Sequence, residues 1–329
     1  MTLNNYQDLQ NKPVCIVGNL CVDLIIRNVP AIPVWGQEVN GTSHLLVSSG
    51  QTGYTAFALS RLGISTCVIS SVGDDLNGRQ VIEDLRTYGI DASGVTVLTD
   101  GQTGITVAIV RKDGERAFVS TLGSSQDFNE TMVLNNWGKL TAASIVCLVG
   151  LFAIPNLTLN AATRILGKAK LMGKVTMLDT GWDPHNWQSN TIKDLQQLLH
   201  EVTIFMPNID EARAITGKNT PEETMLELQR FGPEIIVVKC GDEGSYCRHG
   251  DSTYFVPPRK VQVLDAVGAG DTFNAGFLYG FRLGWSYDTC MIFGNTIASM
   301  YISRATDRWP GLEEVTATAK ISYPFMLEN

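Results

Sequence analysis

The sequence predicts an α/β protein: a mostly parallel central sheet covered by helices on both faces, with a smaller sheet set apart from it. Three observations lead there. Short continuous apolar runs recur and end on glycine or a polar residue, as strands buried on both faces do. Between them lie stretches with apolar residues three to four apart, several closed by glycine, as helices are. Two segments in the first half break this alternation with short strand-like pieces around proline and glycine.

Taken in order, Val14-Cys15-Ile16-Val17-Gly18 is the first buried strand, and residues 23–48 hold short pieces separated by Pro30, Pro33 and Gly41. A helix follows over 52–62, a strand over 66–71, and a helix over 77–88 stopped by Gly89. Between 104 and 121 two strands flank the turn Lys112-Asp113-Gly114-Glu115. Alternation then resumes: strand 145–149, helix 157–172 closed by Gly173, strand 175–179, a helix near 192–199, and strands 202–205 and 234–238. The next helix starts near Ala269 and carries Phe273, Phe277, Leu278 and Phe281 on one face before Gly284 stops it; another spans 291–302. Such a chain buries a sheet between two helical layers, and ligands bind at the carboxyl ends of its strands. The insertions at about 23–48 and 104–121 are expected to pair as a small antiparallel sheet that covers a cleft as a lid. No repeat or Pro/Ser-rich linker divides the chain, so residues 1–329 read as one domain.

Composition narrows the function. Hydrophobic residues make up 44% and charged ones 18%, and 329 residues suffice to bury a core without metal or disulfide staples. The 25 basic and 33 acidic residues give a formal charge of −8 with no basic cluster, which disfavours nucleic acid and anionic membrane as partners. Seven cysteines, Cys15, Cys21, Cys67, Cys147, Cys240, Cys247 and Cys290, lie mostly in apolar runs and read as reduced core thiols. The start, Met1-Thr2-Leu3-Asn4-Asn5-Tyr6-Gln7-Asp8, lacks a signal peptide's basic and apolar regions. The longest apolar run, over 145–154, falls well short of the ~20 residues of a membrane span, so a cytoplasmic protein is expected.

One stretch points to chemistry. Asp265-Ala266-Val267-Gly268-Ala269-Gly270-Asp271 places two glycines and a carboxylate at the mouth of a long helix. Backbone N–H groups there carry partial positive charge and accept an anion without a basic side chain. Gly268 and Gly270 allow close approach of that anion. Asp271 sits where a carboxylate can take a proton from an attacking hydroxyl while the helix terminus stabilises a transferring phosphoryl group. Other chemistries lack their signatures. Gly167-Lys168 is followed by Ala169 and Gly217-Lys218 by Asn219, so there is no P-loop, and no Gly-x-Gly-x-x-Gly follows the first strand. His44, His185, His200 and His249 are not paired at metal-ligand spacing, and there is no Cys-x-x-Cys pair.

Residues 265–271 resemble the Asp-Thr-x-Gly-Ala-Gly-Asp signature of the ribokinase-like (PfkB) family of carbohydrate kinases, with Ala266 in place of threonine. Met206-Pro207-Asn208-Ile209-Asp210-Glu211 is similar to that family's Asn-x-x-Glu motif, and also has the spacing of a helix capping box. Residues 49–63 resemble its Gly-Gly-x-x-x-Asn-x-Ala stretch ending in Arg-Leu-Gly, with Ser49 replacing the first glycine and Tyr54 standing where an asparagine is usual. Asp23 matches an early aspartate, Val238-Lys239-Cys240-Gly241-Asp242-Glu243-Gly244 a nucleotide-side turn, and Asn295 a position near the adenine.

The resemblance implies a three-layer α/β/α ribokinase-like fold with a small β-sheet lid, acting as an ATP-dependent kinase on a hydroxyl, a primary one by expectation, of a sugar or sugar derivative. Asp271 would be the base, and Gly268, Ala269 and Gly270 the anion-binding backbone. Asp23, Gly50, Gln51 and Tyr54 would meet the acceptor; Asn208, Lys239, Gly241, Gly244 and Asn295 would lie on the ATP side. Mg2+ would sit near Asn208 and Glu211, held mostly through water. Residues 303–310 depart from the Gly-Ala loop that helps bind a monovalent cation such as K+ in many relatives, and 151–155 lack the acidic sugar contact of ribokinase. The same fold also serves nucleosides, for which Tyr54, Phe152 or Trp35 would offer a stacking face, and a non-catalytic ligand sensor is the remaining alternative. An apolar outer face on the lid would pair two copies as a homodimer.

Overall fold

Side chains of the central strands alternate between two apolar clusters, one on each side of the sheet. In a computed structural model of the chain, which describes residues 9–113 and 115–324, Val14 and Ile16 face one cluster and Cys15 and Val17 the other. Ile145, Cys147 and Val149 likewise oppose Val146 and Leu148. This period of two is why these runs read as continuous apolar stretches.

The strands are β1 (Val14–Gly18), β2 (Cys21–Val29), β3 (Ser43–Ser49), β4 (Thr66–Gly73), β5 (Asp91–Leu98), β6 (Thr103–Arg111), β7 (Arg116–Gly123), β8 (Ile145–Val149), β9 (Val175–Asp179), β10 (Ile204–Phe205), β11 (Ile235–Lys239), β12 (Ser245–His249) and β13 (Ser252–Val256). A nine-stranded sheet runs β13-β12-β11-β10-β9-β8-β1-β4-β5. It is parallel from β11 to β5, and β12 and β13 add an antiparallel edge. Helices Gly50–Arg61, Leu76–Thr87, Ala269–Arg282, Tyr287–Ile302 and Leu312–Ser322 cover one face. Helices Glu130–Asn135, Trp137–Ala142, Leu159–Leu171, Ser189–Leu199, Ile209–Thr216 and Pro221–Gln229 cover the other. None of the described helices is long and apolar enough to cross a membrane. The three layers expected from the alternation are present.

The two interruptions form one four-stranded sheet, β3-β2-β6-β7. An antiparallel sheet is expected from the sequence, but this one is mixed, because β2 and β6 run parallel. They are joined through β4 and β5 of the main sheet, a long crossover, whereas β2–β3 and β6–β7 are antiparallel neighbours. Gly114, in the turn expected at 112–115, lies outside the described residues, as do residues 1–8.

Chain order reverses at β1, which has β8 on one side and β4 on the other. At such a switch point the strand ends diverge and leave a crevice. Here Gly18 ends β1 so close to β8 that a Cβ on it would stand 2.1 Å from the Val149 carbonyl oxygen.

Candidate active site

The helix Ala269–Arg282 begins over this crevice. Gly268 caps it in the left-handed region, φ 81°. A side chain there would be strained, and its Cβ would lie 2.9 Å from the Tyr54 ring. The turn is tied from behind. Asp265, fully enclosed, accepts the Val267 N–H at 2.9 Å and faces Arg308 at 3.1 Å and Arg27 at 3.8 Å. Arg308 also lies over the Tyr301 ring, 4.0 Å from its centroid.

Asp271 occupies the first turn and is 9% exposed. Burial raises its carboxyl well above the usual range; Asp179 adds to this, Lys239 opposes it, and Glu211 and Asp23 raise it further. Those partners come from four other elements. Lys239, at the end of β11, donates to Asp179 at 2.5 Å and to Asn274 Oδ1 at 3.2 Å, and Asn274 Nδ2 donates to Asp179 at 2.6 Å. Burial alone would lower the Lys239 ammonium, but Asp179, then Glu211 and Asp271, hold it raised.

Asn208 and Glu211 form the capping box that their spacing suggests. Asn208 Oδ1 accepts the Glu211 N–H at 2.9 Å, and Glu211 Oε2 accepts the Asn208 N–H at 3.0 Å. Capping leaves Glu211 buried beside other carboxylates. Burial and then Asp179 push it up to about 7, with Lys239 opposing. Asn208 also bridges Lys239 across the β10 and β11 strand ends.

Asp23, on β2, is 4% exposed and accepts Ser49 Oγ at 2.8 Å and Tyr54 OH at 2.5 Å. Burial raises its carboxyl, although both hydroxyls pull it down. Tyr54 is 3% exposed, with its ring packed against Tyr301 and Trp309. No face of it is open for stacking, and its hydroxyl is spent on Asp23. Gly50, φ 84°, brings the next helix so near β1 that a Cβ would sit 2.4 Å from the Asn19 carbonyl oxygen. The Gln51 amide donates to Asn19 Oδ1 at 3.3 Å. Its carboxamide threads between Gly150 and Gly181, where added Cβ atoms would lie 2.2 Å and 2.6 Å from its oxygen and nitrogen.

Beyond the glycine turn opens a cavity of about 820 Å³ lined by Lys239, Gly241, Gly244, Ala269, Gly270 and Asn295, among others. The structure thus brings four of the five expected nucleotide-side residues into one space. Asn208 does not line it and meets it only through Lys239. The Asn295 amide nitrogen is tied to the Val256 and Pro257 carbonyls.

Sequence reading missed Asp179, Asn274 and Arg308. Asp179 had a signal, since it ends an apolar strand where parallel sheets bind ligands. Asn274 had a weaker one, as a polar residue fully buried in an apolar helix. Arg308 reaches Asp265 over a separation of 43 residues and had none.

The family model described as pfkB family carbohydrate kinase matches residues 12–311. An uncharacterized sugar kinase of Archaeoglobus fulgidus is 31% identical over 252 residues, covering 75% of this chain and 94% of its own. The structure of Arabidopsis thaliana ribokinase complexed with ribose and ATP superimposes with a TM-score of 0.80 at 22% identity, covering 94% of this chain and 99% of the other. A putative ribokinase II from E. coli in complex with ATP and Mg2+ gives 0.79 at 21%, with 94% and 99% covered.

Proposed function

The chain belongs to the pfkB family and is a carbohydrate kinase, and from that premise we propose that it moves the γ-phosphoryl group of ATP to a primary hydroxyl of a sugar. The observation that carries this is the placement of Asp271. It is a buried carboxylate at a helix mouth, near enough to Asp23 for that charge to raise it, and it directly follows Gly270, which lines a cavity large enough for a nucleotide. A buried carboxylate of raised affinity for protons is suited to take one from a hydroxyl near neutral pH. The N–H groups of residues 268–270 face the anion whose charge grows during transfer. Asp23, fixed by Ser49 and Tyr54, accepts from acceptor hydroxyls beside Gly50 and Gln51. Tyr54 acts as a positioning residue rather than a platform. Gly241, Gly244 and Asn295 would border the nucleotide and Lys239 would face its phosphates, with Asn208 behind Lys239 rather than in the cavity wall.

Among the described residues no three His, Cys, Asp or Glu side chains form a ready metal cage. An ion held by few carboxylates together with nucleotide phosphates fits this set, because Glu211 and Asp179 crowd negative charge that Lys239 only partly offsets. Glu211, with Asn208 beside it, would hold Mg2+ largely through water. The ion would neutralise phosphate charge.

Arg308 fixes a positive charge 3.1 Å from Asp265, in the loop that departs from the monovalent-cation pattern. This favours turnover without added K+. The small sheet serves as the lid, and its outer face pairs two copies. Soluble localisation in the cytoplasm is part of the same reading.

The test is ATP consumption across panels of sugars and nucleosides, in K+ and in tetramethylammonium buffers. A sugar should be the preferred acceptor in both. A nucleoside preferred by tenfold or more would move the acceptor class, and binding without turnover on every acceptor would point to a sensor.

A further inference from the structure

We propose that Arg116 is the residue with which the small sheet grips the terminal phosphate of the nucleotide; the contact extends the kinase reading above and rests on it. Register places it. Asp23, Ile25 and Arg27 on β2 pair with Thr106, Ala108 and Val110 on β6, and these pair with Ser120, Phe118 and Arg116 on β7. Side chains directly opposite one another share a face. Arg116 therefore lies on the face of the small sheet that carries Asp23, the face turned to the crevice.

The row Arg27–Val110–Arg116 crosses that face above the glycine turn. Arg27 reaches Asp265, and Val110 belongs to a small apolar cluster against which Val267 packs. Arg116, one strand further on, lines the 820 Å³ cavity together with Lys239, Ala269 and Gly270. It is the small sheet's contribution to that lining.

Charge points the same way. The cavity is bordered by Arg116, Lys239, Arg259 and Lys260 against Asp242, in a chain whose net charge is −8. Lys239 is committed to Asp179, and Arg259 bonds Ser299 and Ser322. Arg116 is exposed and its side chain has no hydrogen-bond or ion-pair partner among the described residues, whereas its neighbour Arg111 is held by Asp113. A free guanidinium offers a planar fork matched to phosphate oxygens. Reaching from the lid, it would contact the end of the triphosphate nearest Gly270 and leave the diphosphate to the main sheet.

Calorimetric titration with Mg2+ and either AMP-PNP or ADP tests this without any acceptor. Arg116→Ala should weaken AMP-PNP at least tenfold and ADP less than threefold, with Arg116→Lys in between and Arg111→Ala close to wild type. In turnover, kcat/KM for ATP should fall while the acceptor KM holds. Equal weakening of both nucleotides, or none of either, would overturn the assignment. Wild-type protein that binds AMP-PNP but phosphorylates no acceptor would instead sink the kinase reading, and the Arg116 comparison would still be readable.

Discussion

Glu211 carries a consequence for stability. Burial and Asp179 raise its carboxyl from 4.5 to about 7, and Asp271 is raised in the same direction. The folded chain thus keeps protons that the unfolded chain releases. The stability this supplies is complete below about 4.5 and is lost as pH rises through about 7. Lys239, itself raised, stays charged throughout that window and does not offset the loss. The nucleotide-free protein should therefore melt at a lower temperature at pH 8 than at pH 5.5. Glu211→Gln should flatten that slope; an unchanged slope in the variant would contradict the assignment. At this scale Asp271, Gly268, Asn208 and Glu211 were legible because each belongs to a short local motif. Asp179 and Asn274 were not, since their meaning comes from meeting Lys239 over separations of 60 and 35 residues. Tyr54 was legible as a residue of the site but not in its orientation, which packing against Tyr301 and Trp309 decides.

Elements with a single environment were the readable ones. β1, β8 and β9 are buried along their whole length; β1 and β8 show as unbroken apolar runs, and β9 as one interrupted only by Thr176 before its terminal Asp179. β5 escaped notice because its exposure is mixed and Gly94 interrupts it, and the β12–β13 hairpin because its partly exposed strands follow the glycine turn at 241–244. The small sheet was legible as an interruption, but the parallel β2–β6 pairing depends on a crossover through another sheet. Its face opposite Asp23 carries the row Leu46–Leu24–Val107–Val119, set by register, with Leu46 51% and Val119 65% exposed. An apolar row of that kind favours pairing with a second copy. Sedimentation velocity should show a dimer that Val119→Asp converts to monomer with unchanged far-UV circular dichroism. A wild-type monomer at micromolar concentration would remove the dimer proposal.

Over the whole molecule, charge is divided by the glycine turn. The carboxylates of Asp23, Asp179, Glu211 and Asp271 lie close enough to act on one another, whereas the cavity beyond the turn is bordered by Arg116, Lys239, Arg259 and Lys260 against the single carboxylate of Asp242. That division suits a reaction in which an uncharged hydroxyl meets a polyanion, and it is built by residues from both halves of the chain. The order of motifs along the sequence predicted which pieces would meet; the sheet's reversal at β1 explains why they do. The central claim is that Asp271 takes the acceptor's proton. Turnover and Mg-ATP binding measured side by side for Asp271→Asn test it most directly. The account predicts nucleotide affinity within threefold of wild type and turnover lower by about 10²–10⁴-fold, the range a general base supplies. Near-wild-type turnover in that variant, with the sugar acceptor saturating, would contradict it.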